Sequence, residues 1–223
     1  MHTTQKEILF REISAFLDKH QIQSLLDIGA GDGSVALKIS EKVSDYLAIE
    51  KRPSNVALLK DLGLKVKNAT FPFPLQQTFD LVLSSHSVPE EKSLYPTFLP
   101  AAWKAVKPGG FLIIITFKGG SSETVKIKNT WLKKPQDLHD EELFTEMMGI
   151  LKNFGEINIR RFESTFESES LAETTEFVSL SFDEENNDKR KQFLKKILQE
   201  KYFKDGAYHL PAEHVMVTVA KQN

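Results

Sequence analysis

The stretch that decides the fold lies near the amino terminus, where residues 24–40 read SLLDIGAGDGSVALKIS. Its first five residues form a short run typical of a buried β-strand. Glycine then recurs at alternate positions, as Gly29, Gly31 and Gly33, before apolar residues return at helical spacing. Because glycine adopts positive φ angles and lets a ligand approach the backbone, this stretch predicts a strand, a ligand-binding turn and a helix.

The same alternation of strands and helices continues along the chain. Short apolar runs are separated by helical patterns up to residue 117, an order typical of a parallel sheet with right-handed crossovers. Two more strands and several helices are predicted beyond that residue. The predicted strands are 24–28, 46–49, 64–66, 79–84, 111–117, 155–162 and 214–220.

The composition narrows the class of protein. The chain has 223 residues, no cysteine and a formal net charge of −2. The lack of cysteine excludes disulfides, Cys-ligated zinc and a cysteine nucleophile, and it favours a cytoplasmic location. No apolar run approaches the ~20 residues of a membrane helix. The near-neutral charge provides no general basic field for nucleic acid, so nucleic acid is not the expected partner.

The spacing of the glycines bears on the ligand at the turn. A dinucleotide fingerprint, G-x-G-x-x-G, requires its third glycine at position 34, where this chain has Ser34. Asp27, near the end of the first strand, would repel a pyrophosphate but suits an ammonium group. An NAD(P)-dependent oxidoreductase is therefore an alternative that the spacing disfavours.

Several motifs together resemble those of class I S-adenosylmethionine-dependent methyltransferases. The segment DIGAGDG at 27–33 is similar to the first motif of that family, and Glu50 ends the second predicted strand, where the family places a ribose-binding acid. Asn68-Ala69 resembles the position that contacts adenine. FDLV at 79–82 and KPGGF at 107–111 resemble the fourth strand and the turn before the fifth.

The resemblance implies a fold and a cofactor. The expected fold is a three-layer, doubly wound α/β sheet of seven strands, mostly parallel, with an antiparallel last strand. S-adenosylmethionine would place its ammonium near Asp27, its ribose on Glu50 and its adenine on Asn68. The implied cofactor-binding residues are Asp27, Gly29, Ala30, Gly31, Gly33, Glu50, Lys51, Asn68, Ala69, Ser84 and Ser85.

His86 is the candidate general base, because it follows the fourth strand at the same sheet edge and an imidazole can accept a proton at neutral pH. Family members that methylate amino groups of adenine or glutamine carry an Asn/Asp-Pro-Pro-aromatic motif here. This chain has Ser-Ser-His-Ser at 84–87, which argues against those substrates. A small-molecule acceptor is predicted, and no metal is expected.

The predicted organisation is one domain over residues 1–223. An N-terminal helix (1–20) precedes a cofactor-binding half (21–117) and a substrate-side half (118–223), which contains a helical insertion at about 163–210. Lysines surround Trp131 in a predicted loop at 118–135. They leave one alternative function open, a module that binds the cofactor or RNA without catalysing a reaction.

Overall fold

The structure is a computed structural model, and it describes residues 2–117, 122–133, 138–179, 182 and 188–222. The helices of this part of the chain are α1 (Gln5–His20), α2 (Ala36–Ser40), α3 (Pro53–Asp61), α4 (Tyr95–Lys104), α5 (Glu123–Leu132), α6 (Leu138–Leu151), α7 (Leu171–Ser179) and α8 (Asp188–Lys201). The strands are β1 (His2–Thr3), β2 (Ser24–Ile28), β3 (Asp45–Glu50), β4 (Val66–Asn68), β5 (Phe79–Ser85), β6 (Val106–Phe117), β7 (Ile157–Ser168), β8 (Phe203–Lys204) and β9 (Ala207–Ala220).

The chain forms two compact units, and strands β7 and β9 contribute residues to both. The first unit comprises residues 1–5, 117–144 and 162–214. The second comprises residues 6–116, 145–161 and 215–223.

The second unit contains the parallel part of the sheet. Strand β2 lies between β3 and β5 and is parallel to both, while β4 and β6 pair in parallel on the outer sides. The last strand, β9, lies beside β6 and is antiparallel to it. Two hydrogen bonds at the end of this pair show the orientation: the Gly109 N–H donates to the Lys221 carbonyl, and the Lys221 N–H donates to the Gly110 carbonyl. The predicted α/β fold, with its mostly parallel sheet and antiparallel last strand, is confirmed.

The central position of β2 follows from its sequence. All five of its residues are buried, and Leu25 and Leu26, which point to opposite faces, have no exposed surface. Burying such a side chain contributes about 1.5–3 kcal/mol, which favours a strand covered on both faces. Because β2 is parallel to both β3 and β5, the carboxyl ends of the three strands meet at one sheet edge, where ligands bind in open α/β sheets.

The first unit has an apolar core of its own. It is formed by side chains of α5, α7, α8, β7 and β9: Ile127, Phe166, Val178, Leu194, Ile197, Leu198, Tyr208 and Leu210. His214, fully buried, places its Nε2 atom 2.7 Å from the Ser164 hydroxyl and stacks on Phe162. Burial lowers the pKa of His214 to about 4, so this imidazole is neutral at physiological pH.

Some predicted boundaries were wrong. The predicted loop at 118–135 contains helix α5, which is anchored by the fully buried Ile127, and the rest of that prediction falls partly outside the described residues. The third strand is Val66–Asn68 and not 64–66. Strands β7 and β9 extend to Ser168 and back to Ala207, which leaves a shorter stretch between them than the predicted insertion. None of the described helices is both long and apolar enough to cross a membrane.

Candidate cofactor-binding site

The turn after β2 has the backbone conformation that its glycines predict. Gly29, Gly31 and Gly33 have φ angles of 78°, 64° and 83°, in the left-handed region that favours glycine. The Gly29 N–H donates to the carbonyl of Ile49 on β3, with an N···O distance of 2.7 Å. The turn is therefore tied to the end of the neighbouring strand.

The space around the three glycines differs. A Cβ added at Gly29 would lie 2.4 Å from the Cβ of Ser87, and one at Gly33 would lie 2.7 Å from Leu62 Cδ1. A Cβ at Gly31 would meet no atom of the described residues within 4 Å. Two of the glycines are thus required by packing within the protein, whereas Gly31 faces open space.

Asp32 stabilises the end of the turn. Its Oδ1 atom accepts hydrogen bonds from the backbone N–H and the hydroxyl of Ser34, at 3.1 and 2.5 Å, and its Oδ2 atom lies 2.5 Å from Nζ of Lys6 on α1. Partial burial alone would raise the pKa of Asp32, but the hydrogen bonds from Lys6 and Ser34 lower it to about 2. The carboxylate therefore remains ionised.

Asp27 is a buried carboxyl group, with 5% of its surface exposed. The hydroxyl of Tyr46, on β3, donates to Asp27 Oδ2 at 2.7 Å. Burial raises the pKa of Asp27, the hydrogen bond from Tyr46 lowers it and the charge of Glu50 raises it, and together these effects bring it to about 6. Holding this group ionised at neutral pH consequently costs folding free energy.

Glu50 joins the glycine turn to the end of β3. Its Oε2 atom accepts the Gly31 N–H at 3.0 Å, and its Oε1 atom accepts the Arg52 N–H at 2.8 Å. The residue is only 5% exposed. Because each carboxylate oxygen can accept more than one hydrogen bond, the side chain retains acceptor capacity beyond these two contacts.

The segment after β4 lies beside Glu50 at the same edge. The Asn68 side-chain amide donates to the carbonyls of Glu50 and Lys51, at 3.1 and 3.2 Å. The Ala69 N–H also donates to the Glu50 carbonyl. The Ala69 N–H is thus engaged within the protein, and Oδ1 is the Asn68 atom suited to accept a hydrogen bond from a ligand. The Lys51 side chain is exposed.

The loop after β5 packs against the turn. Ser84 is fully buried, and its hydroxyl lies 2.8 Å from that of Ser87, which in turn donates to the Ile28 carbonyl. Ser85 and His86 are partly exposed. His86 has a φ angle of 53°, and its N–H donates to the Ile115 carbonyl at 2.8 Å. The side chain of Ser84 therefore lies beneath the edge, whereas Ser85 and His86 lie on it.

Tyr46 and Ser87 are contacts that the sequence reasoning missed. Tyr46 could have been found from strand alternation, because residues 46, 48 and 50 share one face of β3 and the residue level with 48 on β2 is Asp27. Ser87 had no comparable signal, since its contact with Gly29 depends on how the loop after β5 folds.

Comparisons with known proteins identify the family of this chain. The family model described as "Methyltransferase domain" matches residues 1–155. No curated protein matches the chain. Similar solved structures include a protein from Bacillus halodurans described as a methyltransferase (TM-score 0.60, 16% identity, covering 90% of this chain and 93% of that one). Others are an S-adenosylmethionine-dependent methyltransferase from Archaeoglobus fulgidus (0.56, 15%, 97% and 94%) and the N-methyltransferase NodS from Bradyrhizobium japonicum, in complex with S-adenosylhomocysteine (0.52, 11%, 96% and 87%).

The family match and the fold thus identify an S-adenosylmethionine-dependent methyltransferase. The chain belongs to the methyltransferase-domain family, whose model spans more than half of its length. This match decides between methyl transfer and the alternative of NAD(P)-dependent oxidation, in favour of methyl transfer. The cofactor is S-adenosylmethionine.

Proposed function

We propose that this methyltransferase binds its cofactor along the carboxyl edge of β2, β3 and β5 and methylates a small molecule. The observation that carries the proposal is Gly31, where a positive φ angle is combined with open space over the position of a Cβ. A turn that retains glycine beside open space has room for a ligand against its backbone.

The polar groups around this space fit the charges of S-adenosylmethionine. Asp27 would bind the ammonium, and the spare acceptor capacity of Glu50 suits the two ribose hydroxyls. The Oδ1 atom of Asn68 suits the amino group of adenine. Gly29, Ala30 and Gly33 shape the turn, with Lys51, Ala69 and Ser85 along the edge and Ser84 below it.

The chemistry requires little covalent participation by the protein. When bound, the cofactor supplies a methyl group activated by a sulfonium. Holding an acceptor in line with that methyl is worth about 7–11 kcal/mol in favourable cases. His86, partly exposed directly after β5, would accept the proton that a hydroxyl or amine acceptor must lose.

The proposal also includes the class of the methyl acceptor and the cellular location of the protein. The net charge of −2 and the departure at 84–87 from the amino-methylating motif support a small-molecule acceptor. The substrate-side role of residues 118–223 remains a prediction. The absence of cysteine supports a cytoplasmic location, where disulfides are rare.

Calorimetry tests the cofactor site directly. Wild-type protein is expected to bind S-adenosylhomocysteine and to show no heat of binding with NAD. A titration with single-stranded RNA at several salt concentrations tests the remaining alternative, an RNA-binding module, because phosphate contacts make the affinity depend steeply on salt. Lack of S-adenosylhomocysteine binding, with NAD or RNA binding in its place, would overturn the proposal.

Glu50→Ala is expected to weaken S-adenosylhomocysteine binding by at least ~10-fold, since each hydrogen bond to a charged group is worth about 1.5–3 kcal/mol. The same change removes the acceptor of the Gly31 and Arg52 N–H groups, so a lower free energy of unfolding is also expected. Titration calorimetry and urea unfolding measure the two effects. An unchanged affinity in the folded variant would remove Glu50 from the site.

His86→Asn tests the general base, because asparagine tolerates the left-handed backbone at this position. The expected result is a fall in kcat of ~100-fold or more at unchanged affinity for S-adenosylhomocysteine. The acceptor is first found by measuring S-adenosylhomocysteine release with a panel of small hydroxyl and amine compounds. Turnover equal to that of the wild type would exclude His86 as the base.

A further inference from the structure

Tyr46 and Asp27 form a buried pair that neither the sequence motifs nor the family match assigns. Asp27 on β2 lies level with Ala48 on β3, so Tyr46, Ala48 and Glu50 share the face towards which Asp27 points. Ala48 is the smallest of the three and is fully buried. Tyr46 lies level with Leu25, two residues before Asp27, so it approaches Asp27 from the side nearer the start of the strands, opposite to the carboxyl edge.

The hydrogen bond occupies one carboxylate oxygen and leaves the other available. The Tyr46 hydroxyl donates to Oδ2 at 2.7 Å, whereas Oδ1 accepts no hydrogen bond from the described residues. Oδ1 is also absent from the unpaired side-chain atoms that are fully enclosed in the described part of the chain. The contact therefore fixes the rotation of the carboxylate and leaves one oxygen for a ligand.

We infer that Tyr46 is a positioning residue for cofactor binding, which holds the Asp27 carboxylate so that Oδ1 receives the ammonium of the cofactor's amino-acid end. This inference rests on the proposed function of Asp27. It assigns Tyr46 no contact with the cofactor and no part in methyl transfer.

The charges that act on Asp27 make the inference testable by pH. Tyr46 and Glu50, both on β3, are the titratable groups that shift its ionisation among the described residues. The neighbour of Asp27 on β5 is Leu83, which carries no charge. Because the Tyr46 hydrogen bond favours the ionised carboxylate, its removal is expected to move the ionisation of Asp27 to higher pH.

The experiment compares S-adenosylhomocysteine binding by wild type and Tyr46→Phe between about pH 5 and about pH 8, the range in which a buried carboxyl group of this kind titrates. Tyr46→Phe is expected to bind ~10-fold more weakly at neutral pH, and the pH at which its affinity falls should be higher than in the wild type. Tyr208→Phe, at a buried tyrosine of the other unit, is the matched control and should change neither value.

A double-mutant cycle with Asp27→Asn separates positioning from a general loss of structure. If Tyr46 acts through Asp27, Tyr46→Phe should have little further effect on binding in the Asp27→Asn background. Equal losses in both backgrounds, or an unchanged pH profile in Tyr46→Phe, would overturn the inference. Failure of the wild type to bind at any pH would instead overturn the proposed cofactor site.

Discussion

Gly31→Ala is expected to abolish measurable binding of S-adenosylhomocysteine while the protein stays folded. The added methyl group would meet no atom within 4 Å in the part of the chain that the structure describes, so packing tolerates it. The positive φ angle of 64° costs about 1–2 kcal/mol for a residue with a Cβ. The methyl group would, however, project into the space assigned to the cofactor. Calorimetry measures the affinity, and urea unfolding measures the stability.

Gly63→Ala provides the matched control. Gly63 also has a positive φ angle, 76°, and open space around its Cβ position, but it lies at the turn after α3. The two variants should therefore lose similar stability, while only Gly31→Ala loses binding. Equal affinities in the two variants would show that the space over Gly31 is not the cofactor site.

Gly29→Ala should lose more stability than Gly31→Ala. Its Cβ would lie 2.4 Å from the Cβ of Ser87, a distance that forces the loop after β5 to move. Overpacking of this kind typically costs about 1–3 kcal/mol, in addition to the cost of the φ angle. Loss of binding in this variant would accompany loss of stability, so only the Gly31 variant isolates the ligand contact.

The parts of the fold that the sequence predicts best are those in which local pattern and packing agree. Strand β2 has the predicted bounds, because its apolar run is buried on both faces and a glycine ends it. Helix α5 was missed, since its sequence, ETVKIKNTWL, lacks a strong apolar repeat and its position depends on burying Ile127 in the core of the first unit. Such a helix owes its stability to tertiary packing more than to local propensity.

The candidate site shows the same division. The positions of Asp27, Gly31 and Glu50 could be predicted because Asp27 and Glu50 lie at the carboxyl ends of β2 and β3, and Gly31 lies in the turn after β2. The burial of Ser84 and the engagement of the Ala69 N–H could not, because both depend on how loops return across the sheet edge. Motif spacing identifies which residues reach the edge, and packing decides which of their atoms remain available.

Asp27→Asn is expected to stabilise the protein at neutral pH and at the same time to weaken cofactor binding. Moving the pKa of Asp27 from 3.8 to about 6 costs about 3 kcal/mol once the group is ionised. Asparagine removes the charge and can still accept the Tyr46 hydrogen bond, so a gain of about 1–3 kcal/mol is expected once the burial of its amide is allowed for. Binding should weaken by ~10-fold or more, because the ammonium loses a charged partner.

The pH dependence of this gain has a defined sign. The pKa of Asp27 is higher in the folded protein than in the unfolded chain, so the wild type loses stability as pH rises from about 4 to about 6. Asp27→Asn lacks that loss. The stability gained by Asp27→Asn should therefore be smallest near pH 4 and largest above pH 6. His214, with its lowered pKa, acts in the opposite direction over the same range, but it contributes equally to both proteins and cancels from the difference.

Asp80→Asn is the control for a carboxylate with the opposite role. Asp80 accepts hydrogen bonds from Ser24 and Lys107 at the start of β5, away from the carboxyl edge. Partial burial opposes these contacts, but together they lower its pKa, so its ionised form stabilises the fold above the pKa of the unfolded chain. Asp80→Asn should lose stability at neutral pH and retain its affinity for S-adenosylhomocysteine.

The comparison of these two variants decides what the buried charge at Asp27 is for. A structural carboxylate stabilises the protein that contains it, as Asp80 is expected to do, whereas one retained for a ligand can be costly until the ligand arrives. Higher stability with weaker binding in Asp27→Asn would mean that the cofactor's ammonium offsets the cost of ionising Asp27. Higher stability with unchanged binding would show that the raised pKa of Asp27 is unrelated to cofactor recognition. Lower stability at neutral pH would show that Asp27 stabilises the turn itself.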